Sequence, residues 1–149
     1  MNNNRFEELR EYNDLTKKEL ASNLGVSASV YSRWENNKYI IPTRRLYQLA
    51  NYYKINIDYL LGFTDKKINI ESPKEIDIKV CSARATQIRK DYNESLRTFV
   101  ERLHTSSSTW SAYETGKTLI LGAFLIEVCR FGNYSADWIL GRSDKKKIK

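Results

Sequence analysis

Leu15-Thr16-Lys17-Lys18-Glu19-Leu20-Ala21-Ser22-Asn23-Leu24-Gly25-Val26-Ser27 is the stretch that decides the fold. Thr16 and Glu19 stand three positions apart ahead of an apolar run. That is the spacing of a capping box, in which the threonine oxygen takes a backbone N–H while the glutamate reaches back, so a helix is predicted to start at Lys17. Leu20, Ala21 and Leu24 share one face of it, and Gly25 is the residue best able to take the left-handed conformation after its last turn. Ser27 then caps a further helix from Ala28 to Asn36. Only Gly25 and Val26 lie between, and so short a link makes the two helices cross steeply, as a helix-turn-helix.

Outward from this pair, a first helix is expected from about Asn4 to Tyr12. Thr43 after Pro42 starts a fourth, and Asn56 caps a last short one ending at Gly62. The pattern then recurs. Arg10, Leu24, Ser27, Ser29, Ser32 and Glu35 return 79 positions on as Arg89, Leu103, Ser106, Ser108, Ser111 and Glu114. Lys38, Ile41 and Leu46 return as Lys117, Ile120 and Leu125, and the run of Asp58, Leu61, Gly62 and Asp65 as Asp137, Leu140, Gly141 and Asp144. Such a repeat implies two tandem domains of five short helices each, all-α, with Ser95, Ser106 and Ser135 as the later caps. The expected boundaries are 1–65 and 82–149 around a linker of 66–81. In the linker, Ile68-Asn69-Ile70 and Ile76-Asp77-Ile78-Lys79-Val80 alternate apolar and polar residues, which fits either a short β-hairpin or an extended arm. Units of this size lie near the lower limit for folding alone, which leaves room for support from a neighbour or a dimer partner.

Composition narrows the function. The 149 residues carry 25 Lys+Arg against 18 Asp+Glu, a formal charge of +7, and 41% apolar residues suffice for a core. Cys81, Cys129 and the sole histidine, His104, cannot supply a tetrahedral metal set, so no metal and no cofactor is expected. Two cysteines and a start of Met1-Asn2-Asn3-Asn4 read as a cytoplasmic chain with reduced thiols. The apolar stretch from Leu119 to Ile126 is too short to span a bilayer. His104 has no catalytic companion and neither cysteine has a base in sequence reach, so no catalytic residue is assigned and the chain is not read as an enzyme.

Leu15 to Ala21, Leu24-Gly25-Val26-Ser27, Ser32-Arg33-Trp34-Glu35-Asn36 and Ile57-Asp58-Tyr59-Leu60-Leu61-Gly62 together resemble the lambda-repressor/Cro-like helix-turn-helix family, of the xenobiotic-response-element type. The resemblance covers Arg5 to Gly62 and extends more faintly over Arg84 to Gly141, where His104 replaces the turn glycine. It implies a sequence-specific regulator of transcription, a repressor, that lays its third helix in the major groove of double-stranded DNA. If both units bind, one chain could span two half-sites; a homodimer of first domains on a near-palindromic site is the favoured arrangement. Carried over, the DNA-binding set is Lys17, Lys18, Ser27, Ala28, Ser29, Ser32, Arg33, Asn36, Asn37 and Lys38. Arg44 and Arg45 are further phosphate candidates. Lys17 sits at a helix N-terminus, which favours a phosphate. The fork of Arg33 suits a guanine edge, and Ala28 a thymine methyl. Tyr31 and Trp34 face the core at helical spacing, and the family joins positions such as Arg10 and Glu35, here with Arg89 and Glu114, as structural ion pairs.

The second unit departs from this pattern. Leu96 replaces Lys17, Ala112 replaces Arg33, and Arg44 and Arg45 become Ala123 and Phe124. Ser106, Ser107, Ser108, Ser111 and Lys117 could still contact DNA, since cations outnumber carboxylates from Ser82 onward. Leu119, Ile120, Leu121 and Phe124 form a candidate interface. They motivate the rival reading of an antitoxin-like or adaptor module whose second domain mediates dimerisation or holds a protein partner.

Overall fold

A computed structural model describes residues 4–149, and among these it is all-α. The chain divides between Lys74 and Glu75 into two compact units. The first holds α1 (Phe6–Tyr12), α2 (Lys17–Leu24), α3 (Ala28–Glu35), α4 (Thr43–Tyr53) and α5 (Ile57–Leu60). The second holds α6 (Ile78–Asp91), α7 (Leu96–Arg102), α8 (Ser107–Glu114), α9 (Gly122–Gly132) and α10 (Ala136–Ile139). No sheet forms among the described residues; extended pairing is limited to the isolated bridges Ile55–Asn69 and Tyr134–Lys147. None of the described helices is long and apolar enough to cross a membrane.

The local chemistry of α2 and α3 follows their sequence. The Glu19 N–H donates to Thr16 Oγ1 at 3.0 Å and the Thr16 N–H to Glu19 Oε1 at 2.9 Å, closing the capping box. Gly25 ends α2 at φ 78°. Ser27 Oγ accepts from the Val30 N–H at 3.2 Å and starts α3. Leu20, Ala21 and Leu24 of α2 are buried together with Tyr31 and Trp34 of α3, so the inner face of each helix supplies the core of the unit. The same device recurs in the second unit, where Ser95, Ser106 and Ser135 accept from the backbone N–H groups of Thr98, Thr109 and Trp138.

Two local expectations are corrected. Ile78, Lys79 and Val80 are not the second arm of a hairpin but the first turn of α6, because the Asp77 carboxylate accepts from the N–H of Lys79 at 3.0 Å and caps a helix there. The first arm pairs instead with Ile55, through Asn69. Asn56 precedes α5 without capping it by its side chain. Its amide is spent on the returning chain: Asn56 Nδ2 donates to the Lys66 carbonyl at 3.0 Å, and Asn56 Oδ1 accepts from the Ile68 N–H at 2.8 Å.

Each unit is also tied end to end. Arg5 donates to the carbonyls of Tyr59 and Thr64 and to Asp65, and Arg84 donates to the carbonyls of Trp138 and Ser143 and pairs with Asp144. The second set stands 79 residues after the first at every position.

Candidate nucleic-acid interface

With Tyr31, Trp34 and Glu35 turned inward, α3 exposes Ser29 and Arg33 to solvent and Ala28 and Ser32 in part. Ser32 is the hub of this face. Its Oγ accepts from Lys17 Nζ at 3.2 Å and from Asn36 Nδ2 at 3.3 Å, joining the start of α2 to the end of α3. Ser27 and Ser29 share a hydrogen bond at 3.2 Å. Asn36, Asn37 and Lys38 are exposed in the turn that follows, with Asn37 at φ 61° and its Oδ1 accepting from Asn4 Nδ2 at 2.7 Å. Lys18 is exposed on the first turn of α2. The residues assigned to this face are cations, hydroxyls and amides, the composition that fits a polyanion.

Tyr39 belongs to this face, and sequence reasoning passed over it. It is 62% exposed, and the Arg33 guanidinium carbon lies 5.6 Å from its ring centroid, a cation–π arrangement that limits where the fork can point. The signal was available: an aromatic residue six positions after an arginine, in the polar loop that follows α3. Arg45 moves the other way. It donates to the Leu24 carbonyl at 2.7 Å and to Gln48 Oε1 at 2.9 Å, so it serves the C-terminus of α2 and is withdrawn from a phosphate role. Arg44 remains exposed.

Behind the face, Arg10 grips Glu35 with both arms of its fork, at 3.0 and 2.9 Å, and donates to the Leu15 carbonyl at 2.9 Å. Burial pushes the Glu35 carboxyl up, but the hydrogen bonds to it, Arg10 foremost, more than reverse this and hold it below its ordinary range. Arg89 and Glu114 repeat the grip at 2.6 and 2.9 Å, with Thr86 donating to the same carboxylate at 3.1 Å.

The matching face of the second unit has lost the cations of Lys17 and Arg33, replaced by Leu96 and Ala112, while Arg97 and Lys117 stand where Lys18 and Lys38 do. Ser106 and Ser108 bond one another at 3.1 Å, Ser107 and Ser111 are half-buried, and Lys117 is exposed. Thr109, Ala112, Tyr113, Leu119 and Leu121 line a cavity of about 290 Å³ there. Leu121 is 59% exposed, and Leu119 and Phe124 are half-buried. Ile120, grouped with them as surface in the sequence reading, is only 4% exposed and belongs to the core.

Comparison with known proteins agrees with the geometry of the first unit. Residues 3–65 match a family model described as a helix-turn-helix domain. A protein of Bacillus subtilis (strain 168), named as the uncharacterized HTH-type transcriptional regulator YobD, is 36% identical over 61 residues, 41% of this chain and 54% of that protein. The chain thus spans about half the length of this curated relative. No solved structure matches the chain. Over residues 3–65, then, the chain is similar to helix-turn-helix domains, in sequence as in the arrangement of α2 and α3.

Proposed function

We propose that the protein is a sequence-specific, double-stranded DNA-binding regulator of transcription, a repressor, that reads the major groove with α3. The observation that carries this is the polar face on which Arg33 and Ser29 stand exposed beside the linked Lys17, Ser32 and Asn36. Arg33, Ala28, Ser29 and Ser32 read base edges. Lys17, Lys18, Ser27, Asn36, Asn37 and Lys38 hold phosphates. The fold is of the lambda-repressor/Cro-like kind in two tandem copies, 1–65 and 82–149, the second divergent. The protein works in the cytoplasm as a homodimer on a near-palindromic site, since one short helix offers few base contacts.

Selection of random duplex fragments with the full chain, followed by footprinting, tests this. The expected result is an enriched inverted repeat. Arg33→Ala should relax base preference at one or two positions by about 1–3 kcal/mol. Enrichment of no sequence, or an Arg33→Ala profile identical to the original, would overturn the reading.

A second reading has its own observation, the uncharged cavity beside Leu121 where the second unit would otherwise meet DNA. On it, that unit is an adaptor that mediates dimerisation or holds a protein partner, as in an antitoxin-like module. Leu121→Glu then abolishes self-association or partner binding while leaving the DNA site of α3 intact.

A further inference from the structure

In the first unit, the end of α1, the end of α4 and the chain after α5 enclose a cavity of about 320 Å³, within the range of small-molecule sites. Leu9 and Ile55, each 3% exposed, form part of its floor, and Tyr12, Tyr52, Tyr53 and Lys67 stand around it. No carboxylate lines it. The Lys67 ammonium lies 5.3 Å from the centroid of the Tyr12 ring, and no carboxylate among the described residues neutralises it. Tyr12 is 76% exposed, so its ring is open to a ligand entering from solvent.

The second unit shows what the same place looks like when filled. Seventy-nine positions on, Tyr12, Tyr53, Ile55 and Lys67 become Asp91, Gly132, Tyr134 and Lys146. Lys146 Nζ lies 2.6 Å from Asp91 Oδ2, and Tyr134 Oη donates to that oxygen at 2.7 Å. Lys147 stands 3.7 Å over the Tyr134 ring. A Cβ at Gly132 would fall 2.6 Å from the Tyr134 ring and 2.8 Å from Tyr92 Oη, so no side chain corresponding to Tyr53 fits there. One copy has closed the space with aromatic rings and an internal carboxylate; the other keeps it hollow, with phenol walls and an unmatched ammonium.

We propose that this cavity binds a small aromatic carboxylate, its ring against Tyr12 and Tyr52 and its carboxylate on Lys67. The ligand supplies what Tyr134 and Asp91 supply in the second unit, an aromatic ring and a carboxylate. A cation is repelled by Lys67, and a saturated ring gives up the aromatic contacts. The site also touches α3 indirectly. Leu15 lines the cavity, and its carbonyl accepts from Arg10, whose fork holds Glu35 at the end of α3. Occupancy therefore bears on the helix assigned to DNA, and this consequence alone rests on the proposed function.

The test is an NMR titration of the full chain with benzoate, with benzylamine and cyclohexanecarboxylate as comparators. Benzoate is expected to bind saturably, shifting the signals of Tyr12, Tyr52 and Lys67, with cyclohexanecarboxylate weaker and benzylamine not binding. Lys67→Met weakens benzoate about fivefold, and Lys66→Met, an equal loss of charge next door, leaves it unchanged. Absence of saturation, equal losses in both variants, equal binding of benzylamine, or shifts centred on the second unit would each overturn the proposal. DNA selection run in parallel separates the two readings. Benzoate binding without an enriched site sinks the DNA reading alone, and an enriched site without benzoate binding sinks this one alone.

Discussion

Glu35 and Glu114 hold the same place in their units, yet their side chains are 1% and 14% exposed. Removing one partner of a buried pair strands the other charge, so Glu35→Gln should cost about 3 kcal/mol and Glu114→Gln clearly less, read from urea unfolding midpoints at neutral pH. Burial raises both carboxyls, and hydrogen bonds, from Arg10 to Glu35 and from Arg89 to Glu114, lower them further, so both end below the ordinary value of 4.5. Their contribution is then fully present above that value and is lost as pH falls through the depressed folded values. Urea midpoints should hold from neutrality to about pH 5 and decline below it, and the decline should shrink in Glu35→Gln. At this scale the sequence was legible wherever a residue's role is local or is repeated. Arg10 and Glu35 recur together, and Arg33 lies on the polar side of an apolar stripe. Arg45 was misread because the orphan carbonyl it serves, that of Leu24, is a property of the fold and not of its neighbours in sequence.

The turn between the second and third helices offers a matched pair of elements. Gly25 sits at φ 78°, and a Cβ added there would meet nothing within 4 Å, so Gly25→Ala should cost about 1 kcal/mol through backbone strain alone. His104, in the corresponding turn, bears that strain already at φ 53°, so His104→Gly should stabilise the second unit by a similar amount. Thermal unfolding of the full chain, with each transition followed by NMR, would show shifts of opposite sign in different units. Helix starts were legible because capping side chains announce themselves: Thr16, Ser27, Ser95, Ser106 and Ser135 all bond where their spacing said they would. The start of α6 was not. A five-residue alternation suits a strand and an initial helical turn equally well, and the helical spacing of Ile78, Cys81, Ala85 and Ile88 declares itself only over a longer window.

Across the whole molecule, a charge of +7 with its cations clustered on the proposed DNA face should make affinity for DNA fall steeply with salt, by an amount set by the number of phosphates held. Lys17→Ala should weaken every sequence alike and flatten the slope of log K against log salt by about one, whereas Arg33→Ala should change which sequence is preferred; titrations at two salt concentrations check both. The two-part organisation could be read from the recurrence at 79 positions, but the contrast between the hollow and the filled cavity could not. It depends on which side chains converge on a shared space: at the same offset Asn13 and Ile55 become Tyr92 and Tyr134, and only the fold brings these two rings to where Tyr53 gives way to Gly132. The end-to-end ties of Arg5 and Arg84 carry a consequence for how the chain is made. Synthesis delivers the N-terminus first, so the tie of Arg5 to Tyr59, Thr64 and Asp65 is not complete until Asp65, 60 residues later, has left the ribosome. Closure is therefore a late act of each unit, and the first can shut before Asp144 exists to close the second. That order should favour pairing within each unit over an exchange of halves between two similar neighbours.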